Sequence, residues 1–254
     1  MKYPFRILQT GLDSAYLNMG LDEAILESVA SGSALPTLRI YGWEPPAISL
    51  GYFQGALEEV DVDACRRQGV DLVRRITGGG AVFHDAEVTY SIVIPEGHPL
   101  APPSILDSYS LLCSGIVEGL KSLHITAEFA PINDIVSGGR KISGNAQTRK
   151  KGCLLQHGTV LLKVDVEKMF SLLKVPKEKA LGKMIDDVKA RVTSLSALLA
   201  RDVGFVEASD ALREGFLHTL CLDLKEEEPR QDELAAARLL AQTKFSTKAW
   251  IFRR

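Results

Sequence analysis

Residues 71–94 have the sequence DLVRRITGGGAVFHDAEVTYSIVI. Short apolar and β-branched runs at 71–75, 81–83 and 89–94 predict three strands, with a glycine-rich turn after the first. The run is not a P-loop, because the pattern G-x-x-x-x-G-K-[ST] is absent. It is not a Rossmann fingerprint either, because a strand and not a helix follows the glycines. The segment therefore predicts a β-sheet with a glycine turn that belongs to neither of these nucleotide-binding motifs.

Strand-like and helix-like segments surround this stretch on both sides. Upstream, the pattern predicts strands at 5–9, 37–41 and 47–50, a helix between Ser14 and Gly32, and a short helix at 62–68. Downstream, it predicts helices at 104–123, 167–173, 181–188, 193–199, 205–220 and 233–242, and strands at 125–129, 134–136, 141–147 and 153–162. No linker and no internal repeat interrupts the pattern. We therefore expect one α+β domain over residues 1–254, with mixed β-sheets flanked by helices.

The composition of the chain is that of a soluble protein. It has 254 residues, of which 46% are hydrophobic and 24% charged, and its formal net charge is -2. That charge lacks the basic excess typical of nucleic-acid binding. The N-terminus has no signal-peptide pattern, and no stretch reaches the roughly 20 apolar residues of a membrane span. Four cysteines without a C-x-x-C pair complete the prediction of a reducing, cytoplasmic protein that binds neither nucleic acid nor membrane.

The glycine turn itself predicts a binding surface for an anion. Gly78, Gly79 and Gly80 allow backbone conformations that other residues avoid, and a close approach to a ligand. Successive backbone N–H groups then form a concavity that attracts negative charge. Arg75, next to it, offers a fixed cation with two parallel donors for a phosphate. The alternative is a tight hairpin in which the glycines serve packing alone.

A second segment, NDIVSGGRKISGNA at residues 133–146, places a lysine in a β-patterned stretch. Lys141 is expected to project from one defined face, where its ammonium would neutralise the charge that develops on a carboxylate and an α-phosphate. Asp134 is expected either to hold a magnesium ion or to orient this lysine. The alternative is an Arg140-Lys141 pair that faces solvent at a hairpin tip.

Three further residues have both a functional and a structural interpretation. His157, in the sequence QHGT, is either catalytic or a satisfied strand residue. His84 followed by Asp85 raises the alternative of a metal site. Its further ligand would be His157 or Cys153, although no metal-ligand spacing supports it. Trp43 stands in a proline-containing turn, where it either packs as a lid or covers an apolar ligand.

These motifs resemble those of the lipoate–protein ligase A family. The resemblance rests on RRxTGGGAVFHD from Arg74, on Asn133-Asp134 followed by GRKISGNA, and on LQHGTVLL from Leu155. It extends over nearly the whole chain, from NMGLDE at 18–23 to KFSTKAW at 244–250. It implies a biotin/lipoate-ligase-like (BPL/LPL) α+β fold. It also implies a two-step reaction in which lipoate and ATP form lipoyl-AMP, whose lipoyl group then passes to a lysine of an acceptor protein.

The resemblance carries site roles onto individual positions. Lys141 matches the family's essential lysine, which contacts both the lipoyl carbonyl and the phosphate. Residues 75 and 80–83 match the loop that binds the nucleotide and the acyl group. The expected site therefore has Lys141 as its catalytic residue and no protein-bound metal. Lipoate and ATP, with its Mg²⁺, are expected to be held by Trp43, Arg75, Gly78, Gly79, Gly80, Ala81, Val82, Phe83, His84, Asn133, Asp134, Ser143, Ala146 and His157.

The resemblance also implies partners. The acceptor is expected to be a lipoyl domain of a dehydrogenase E2 subunit, a glycine-cleavage H protein or a similar carrier. The longer ligases carry an accessory C-terminal domain, for which this chain has no room after Trp250. A separate small accessory subunit of the ligase is therefore a further expected partner.

Two other functions compete with the ligase. The sister group of octanoyltransferases and lipoyl amidotransferases moves acyl groups between carriers through a cysteine thioester. Its cysteine precedes the Gly-Arg-Lys motif, where residues 123–141 contain none, and Cys153 lies beyond Lys141. The triple glycine, which that group tends to interrupt, is intact. We therefore expect an ATP-dependent lipoate–protein ligase, with a cysteine-dependent acyltransferase as the alternative and a non-catalytic lipoyl-binding protein as a third class.

Overall fold

The computed structural model describes residues 2–174 and 181–253. Its strands are β1 (Tyr3–Asp13), β2 (Thr37–Trp43), β3 (Ala47–Leu50), β4 (Asp71–Arg74), β5 (Val82–His84), β6 (Glu87–Pro95), β7 (Glu128–Ala130), β8 (Asp134–Ser137), β9 (Arg140–Lys150), β10 (Cys153–Leu161) and β11 (Leu222–Glu226). Its helices are α1 (Ala15–Ala30), α2 (Ala56–Glu59), α3 (Val62–Arg67), α4 (Ile105–Ser122), α5 (Val166–Leu172), α6 (Leu181–Arg191), α7 (Leu195–Leu199), α8 (Phe205–Thr219), α9 (Gln231–Leu240) and α10 (Lys248–Ile251), with a π-helical turn at Ala241–Phe245. Each strand and helix expected from the sequence overlaps one of these elements. Across the described residues, no helix has the length and apolarity to cross a bilayer.

Two mixed β-sheets organise the molecule. The large sheet has the strand order β11-β1-β2-β6-β10-β9-β8-β7, and the small sheet has the order β4-β3-β5. β1 runs parallel to β2 and β11, and β3 runs parallel to β4, whereas the other neighbouring strands are antiparallel. The prediction of an α+β fold with mixed sheets is therefore confirmed.

Helices cover both faces of the large sheet. α4 and α8 pack on one face, against apolar side chains of β6 and β10 such as Tyr90, Ile92 and Leu154. α1 and α9 pack on the other face, where Val93 and Leu155 join the core. This division follows from the two-residue period of a strand, which sends successive side chains to opposite faces.

α1 begins at the residue that the sequence predicts and then contributes polar groups to the interior. The side-chain oxygen of Ser14 accepts a hydrogen bond from Leu17 N at 3.3 Å, which caps the helix. On its inner face, Asn18 and Asp22 are buried beside the apolar residues. Arg39 Nη1, from β2, donates to the Asn18 carbonyl oxygen at 3.0 Å and to Asp22 Oδ1 at 2.8 Å. A buried ion pair thus joins this helix to the sheet.

One strand outside the prediction extends the large sheet. β11 has the sequence LDLKE and is largely exposed, so its hydrophobic alternation is weak. It pairs in parallel with β1, from Tyr3 opposite Leu222 to Ile7 opposite Glu226. Pairing of this kind depends on a distant strand, and a local pattern does not contain that information. α2, α10 and the π-helical turn are further elements that the sequence analysis does not predict.

Candidate active site

A cavity of about 920 Å³ opens between the two sheets. Its walls come from β2, β3, β5, β6, β9, β10 and the glycine turn, and α5 and α6 cover it with Val166, Met169 and Val188. Most of the residues expected at the site line it, namely Trp43, Arg75, Gly79, Gly80, Ala81, Val82, Phe83, His84, Asn133, Lys141, Ala146 and His157. Gly78, Asp134 and Ser143 lie outside this lining. Sheet pairing thus gathers segments that are far apart in the sequence.

The glycine turn presents open backbone donors. In the part of the chain that the structure describes, the N–H groups of Gly78, Gly79 and Gly80 donate to no other residue. Gly79 has a φ of 98°, in the region that favours glycine. A Cβ atom at Gly51, just after β3, would lie 1.9 Å from the Gly79 carbonyl oxygen. The turn therefore rests directly on the backbone of the small sheet while its donors stay open, as an anion-binding loop requires.

Arg75 holds this turn from inside the protein. Its Nη2 atom donates to the carbonyl oxygens of Gly78 and Gly80, both at 2.7 Å. Its Nη1 atom donates to the carbonyl oxygen and the hydroxyl of Ser49 at 2.9 and 3.1 Å. Burial lowers the pKa of Arg75 to about 10. The prediction of a free bidentate phosphate donor is therefore wrong, because both terminal nitrogens are engaged by protein oxygens.

A β-bulge turns Lys141 toward the cavity. The pairing of β8 with β9 shifts register so that Lys141 and Ser143 face consecutive residues of β8, and Ile142 is the extra residue. Lys141 thereby shares a face with Gly144, and a Cβ atom at Gly144 would lie 2.8 Å from both Cε and Nζ of the lysine. The alternative of a lysine at a solvent-facing hairpin tip is wrong, because the side chain is half-buried and lines the cavity.

Asp134 orients this lysine. Its Oδ1 atom lies 2.7 Å from Lys141 Nζ, as the orienting role requires. The Lys141 carbonyl oxygen also accepts a hydrogen bond from Thr193 N at 2.8 Å, which ties β9 to the segment after α6. Ser143 is fully buried and its hydroxyl faces Asn145 Nδ2 at 3.4 Å, so the structure does not bring it to the cavity.

Three buried side chains of the cavity wall form a hydroxyl–imidazole–carboxylate network, here named the Ser49 relay (Ser49, His84 and Glu87). His84 Nε2 lies 2.7 Å from Ser49 Oγ, and His84 Nδ1 lies 2.6 Å from Glu87 Oε1. Trp43 stacks on the imidazole with ring centroids 3.9 Å apart and planes inclined by 16°. Trp43 therefore packs on a side chain of the cavity wall, which is the packing role of the two that the sequence left open.

A second network of the same residue types, the Thr77 relay (Thr77, His157 and Asp22), lies in the same region. His157 Nε2 lies 2.7 Å from Thr77 Oγ1, and His157 Nδ1 lies 3.4 Å from Asp22 Oδ2. Burial lowers the pKa of His157. Burial alone would raise the pKa of Asp22, but the contacts with His157 and Arg39 hold it below its usual value. His157 is thus a neutral imidazole held by satisfied neighbours.

None of the four cysteines lines the cavity. Cys65, Cys113 and Cys153 are buried in hydrophobic cores, and Cys221 is exposed after α8. Burial raises the pKa of Cys65 to about 11 and that of Cys113 to about 12, and it also raises that of Cys153. Because the thiolate is the nucleophile, such thiols are unreactive near neutral pH. Cys153 is therefore not placed to carry an acyl thioester.

The pair His84-Asp85 does not form the metal site considered above. Both ring nitrogens of His84 are bonded within the Ser49 relay, and Asp85 Oδ2 pairs with Lys168 Nζ at 3.0 Å. Over residues 2–174 and 181–253, no group of three potential metal-binding side chains is assembled.

Ser49 and Glu87 line the cavity but belong to none of the motifs that predicted the site. Ser49 is the only hydroxyl residue in β3, whose sequence AISL is entirely buried, and a polar residue in such a strand needs a partner. Glu87 follows His84 by three residues and opens the strand β6, which is buried along nearly its whole length. A carboxylate at the start of an apolar strand was a usable signal, because buried charges need compensation.

Comparisons with known proteins identify relatives over the whole chain. Residues 14–217 match a family model described as the lipoyl protein ligase A/B catalytic domain. The octanoyltransferase LipM of Anoxybacillus flavithermus is 37% identical over 100% of this chain and 99% of its own length. Relatives of the same name from seven other strains are between 33% and 37% identical.

Solved structures give the fold. A bipartite lipoate protein ligase from Thermoplasma acidophilum has a TM-score of 0.87 at 32% identity, covering 99% of this chain and 96% of that one. A lipoate-protein ligase A bound with ATP has a TM-score of 0.82 at 31% identity, covering 99% of both chains. The lipoate-ligase-like catalytic fold expected from the motifs is therefore confirmed.

The same comparisons correct the expected activity. The expectation of an ATP-dependent lipoate–protein ligase is wrong, because the relatives with the higher identity over both full lengths, 34–37%, are octanoyltransferases. The neighbour bound with ATP shows that ATP is a ligand within this fold, but for this chain ATP, Mg²⁺ and lipoate stay expectations drawn from the ligases. The expectation rested on two local features, the intact triple glycine and the lack of a cysteine before Lys141. Similarity over the full length weighs more than either feature alone.

Proposed function

The chain belongs to the lipoyl protein ligase A/B catalytic-domain family, and from this premise we propose that it is an octanoyltransferase. It takes an octanoyl group from the thioester of a carrier protein and transfers it to a lysine of a lipoyl-acceptor domain. The observation that carries the proposal is the match to octanoyltransferases over the full length of both chains. A lipoyl domain as acceptor is supported by the archaeal neighbour, which is described together with its E2 lipoyl domain. The accessory subunit expected for a ligase has no role in a transfer that forms no adenylate.

The cavity suits a medium-length acyl chain. Its volume of about 920 Å³ falls within the usual range for small-molecule sites. Apolar side chains form much of its lining, among them Met19, Val82, Phe83, Leu161, Met169, Val188 and Val192. Each methylene buried there contributes about 0.8 kcal/mol, so an octanoyl tail gains roughly several kcal/mol of binding free energy. That energy holds the acyl carbonyl in a fixed place for attack.

Lys141 supplies positive charge where the reaction creates negative charge. Attack on a thioester carbon turns the carbonyl oxygen into an oxyanion, which a fixed ammonium stabilises. Asp134 holds the lysine Nζ at 2.7 Å, and the missing side chain at Gly144 leaves the space in which it lies. The open N–H groups of the glycine turn offer further donors in the same cavity.

The proposal is tested by transfer without ATP. The protein is incubated with octanoyl-loaded acyl-carrier protein and an unmodified lipoyl-acceptor domain, and the acceptor is weighed by intact mass spectrometry. We expect a gain of one octanoyl group, at a rate that Lys141→Ala lowers by about 10²- to 10³-fold. Lys121→Ala is the matched control, because it removes an exposed lysine of α4 and should keep the wild-type rate. Modification that occurs only with free lipoate and Mg-ATP contradicts the proposal.

A further inference from the structure

None of the cysteines lines the cavity. In an acyltransferase of this kind, either another side chain carries the acyl group or the group passes directly from donor to acceptor. The hydroxyl of Ser49 is the candidate, because it lines the cavity and lies 2.7 Å from His84 Nε2. A serine hydroxyl becomes nucleophilic when an adjacent base takes its proton and a third group orients that base. The Ser49 relay contains these three parts in that order. Ser49 can act as a nucleophile only if its hydroxyl hydrogen points to His84 and His84 Nε2 carries no proton.

One end of the relay is set by a group that can only donate. Trp43 Nε1 donates to Thr89 Oγ1 at 2.8 Å, so the Thr89 hydroxyl hydrogen is free to donate to Glu87 Oε1 at 2.7 Å. An ionised Glu87 accepts only, so the hydrogen between it and His84 belongs to His84 Nδ1. In a neutral imidazole, Nε2 is then the acceptor. This end of the relay therefore gives His84 the tautomer of a general base.

The other end is also set by an obligate donor. Arg75 Nη1 donates to Ser49 Oγ at 3.1 Å and occupies one of its lone pairs. The Ser49 hydroxyl hydrogen then points to His84 Nε2, the free acceptor. Within the described residues, Arg75 forms no ion pair with a carboxylate, so its charge is available to stabilise an alkoxide or an oxyanion on this hydroxyl. Both ends of the relay thus direct the proton from serine to histidine.

Glu87 is open on the side that a structural network would close. Its Oε2 atom is buried and has no hydrogen-bond partner among the residues that the structure describes. A buried acceptor without a partner costs about 1–3 kcal/mol. Because Oε2 has no other partner, the Glu87 carboxylate can compensate the positive charge of a His84 imidazolium that forms during the reaction.

We propose that Ser49 is the nucleophile that carries the octanoyl group, as an ester, between the donor and the acceptor; this rests on the proposed transferase function. In the first step Ser49 Oγ bonds to the thioester carbon while His84 Nε2 takes its proton. The tetrahedral intermediate then expels the carrier thiolate, which takes the proton from His84 and leaves as a thiol. The products are octanoyl-Ser49 and a free carrier.

The second step returns the enzyme to its starting state. The neutral amine of the acceptor lysine attacks the ester carbon, and His84 Nε2 takes a proton from its nitrogen. Ser49 Oγ leaves and recovers that proton from His84, so that an amide forms and no oxidant, reductant or nucleotide is consumed. Glu87 acts as a positioning residue throughout, because its carboxylate accepts hydrogen bonds from His84 and Thr89 and takes no part in the bonds that form or break.

The test traps the ester. The protein is mixed with octanoyl-loaded acyl-carrier protein in the absence of acceptor, quenched in acid, weighed intact and mapped by peptide mass spectrometry. We expect a gain of one octanoyl group on the peptide that contains Ser49, and its loss when acceptor domain is then added. Ser49→Ala should abolish the adduct and lower transfer by about 10²- to 10⁴-fold or more. Ser209→Ala, which removes another buried serine on α8, should change neither.

Two further variants keep the proposal falsifiable if Ser49→Ala disturbs the cavity. Ser49→Cys should give a thioester on the same peptide, because the position and not the hydroxyl alone makes the nucleophile. Glu87→Gln should lower kcat of transfer and leave KM for the loaded carrier unchanged, whereas a purely structural role would lower stability instead. Wild-type transfer with no adduct, together with an active Ser49→Ala, would overturn the inference and leave the transferase function standing. No transfer from the loaded carrier by the wild type would instead remove the transferase function itself.

Discussion

The Ser49 relay and the Thr77 relay contain the same three kinds of group and differ in their surroundings. In each, a hydroxyl oxygen lies 2.7 Å from the Nε2 atom of a buried histidine, and a carboxylate faces the other ring nitrogen. Both hydroxyl residues are buried, but Ser49 lines the cavity and Thr77 lies outside its lining. Under the proposal above, the first relay meets substrate at its hydroxyl and the second does not.

The carboxylates of the two relays differ in how many of their hydrogen-bond acceptors are occupied. Asp22 Oδ1 accepts from Arg39 and Ser91 at 2.8 Å each, and Asp22 Oδ2 accepts from Tyr41 at 3.0 Å. Glu87 instead contacts no basic side chain apart from its histidine in the described structure, and one of its oxygens has no partner. A closed, ion-paired network stabilises the fold, and an open one keeps capacity for chemistry. Residue types alone do not separate these two outcomes.

The largest expected effect is on transfer rate, measured with His84→Gln and His157→Gln. Glutamine keeps hydrogen bonding but cannot shuttle a proton, so His84→Gln should lower kcat by about 10²- to 10⁴-fold. His157→Gln should lower it by less than about 10-fold, because Thr77, the hydroxyl paired with His157, lies outside the cavity lining. Both rates are read from octanoylated acceptor by mass spectrometry. Equal losses in the two variants would remove the distinction between the relays.

The second prediction concerns the free energy of unfolding. Here the Thr77 relay is expected to matter more than the Ser49 relay. Asp22→Asn leaves Arg39 buried without its charge partner and should lower the free energy of unfolding by about 3–5 kcal/mol. Glu87→Gln keeps an acceptor for His84 and Thr89 and has no ion pair with Arg or Lys to lose. Its change should stay within about 1 kcal/mol. Urea unfolding of the two variants beside the wild type measures both, and a larger loss in Glu87→Gln would contradict the comparison.

The smallest effect is a pH dependence of stability that belongs to the Thr77 relay. Because the folded state lowers the pKa of His157 below its usual value near 6.5, the unfolded chain binds a proton first as pH falls. The resulting stability is fully present above about pH 6.5 and is lost as pH falls through the folded pKa. The lowered pKa of Asp22 acts only in a more acidic range, below its ordinary value of 3.8.

The measurement compares the free energy of unfolding at about pH 8 and about pH 5.5. Wild type should lose more stability over this interval than His157→Gln, by at most about 1.4 kcal/mol for each pH unit below 6.5. Burial also lowers the pKa of His98, which contributes in the same direction to both proteins and cancels in the comparison. An identical loss in the two proteins would show that His157 is not held neutral by the fold.

Much of the fold was predictable because its signals are local. The helix cap at Ser14 and the glycine turn at 78–80 depend on a few neighbouring residues, and the structure has both. β11 was not predictable from its weak pattern, because parallel pairing with β1 selects it. The bulge at Ile142 was also hidden, since an unbroken alternation would place Lys141 and Gly144 on opposite faces.

The candidate site was predictable in part. Motifs located the glycine turn and Lys141, and the structure places both at one cavity. They also misassigned the activity, because an intact triple glycine and a missing cysteine outweighed the similarity over the rest of the chain. Arg75 shows the limit of residue type as evidence: a guanidinium beside glycines looked free for phosphate, and the fold uses it to hold the turn.

Local sequence was enough to position the glycine turn and the helix cap at Ser14, because each depends on residues that are neighbours in the chain. The three-dimensional arrangement alone separated the Ser49 relay from the Thr77 relay. Ser49 and His84 are 35 positions apart and meet because β3 pairs with β5. Thr77 and His157 are 80 positions apart and meet where the glycine turn crosses β10. Which hydroxyl faces the cavity follows from those pairings, since they decide the surroundings of each side chain.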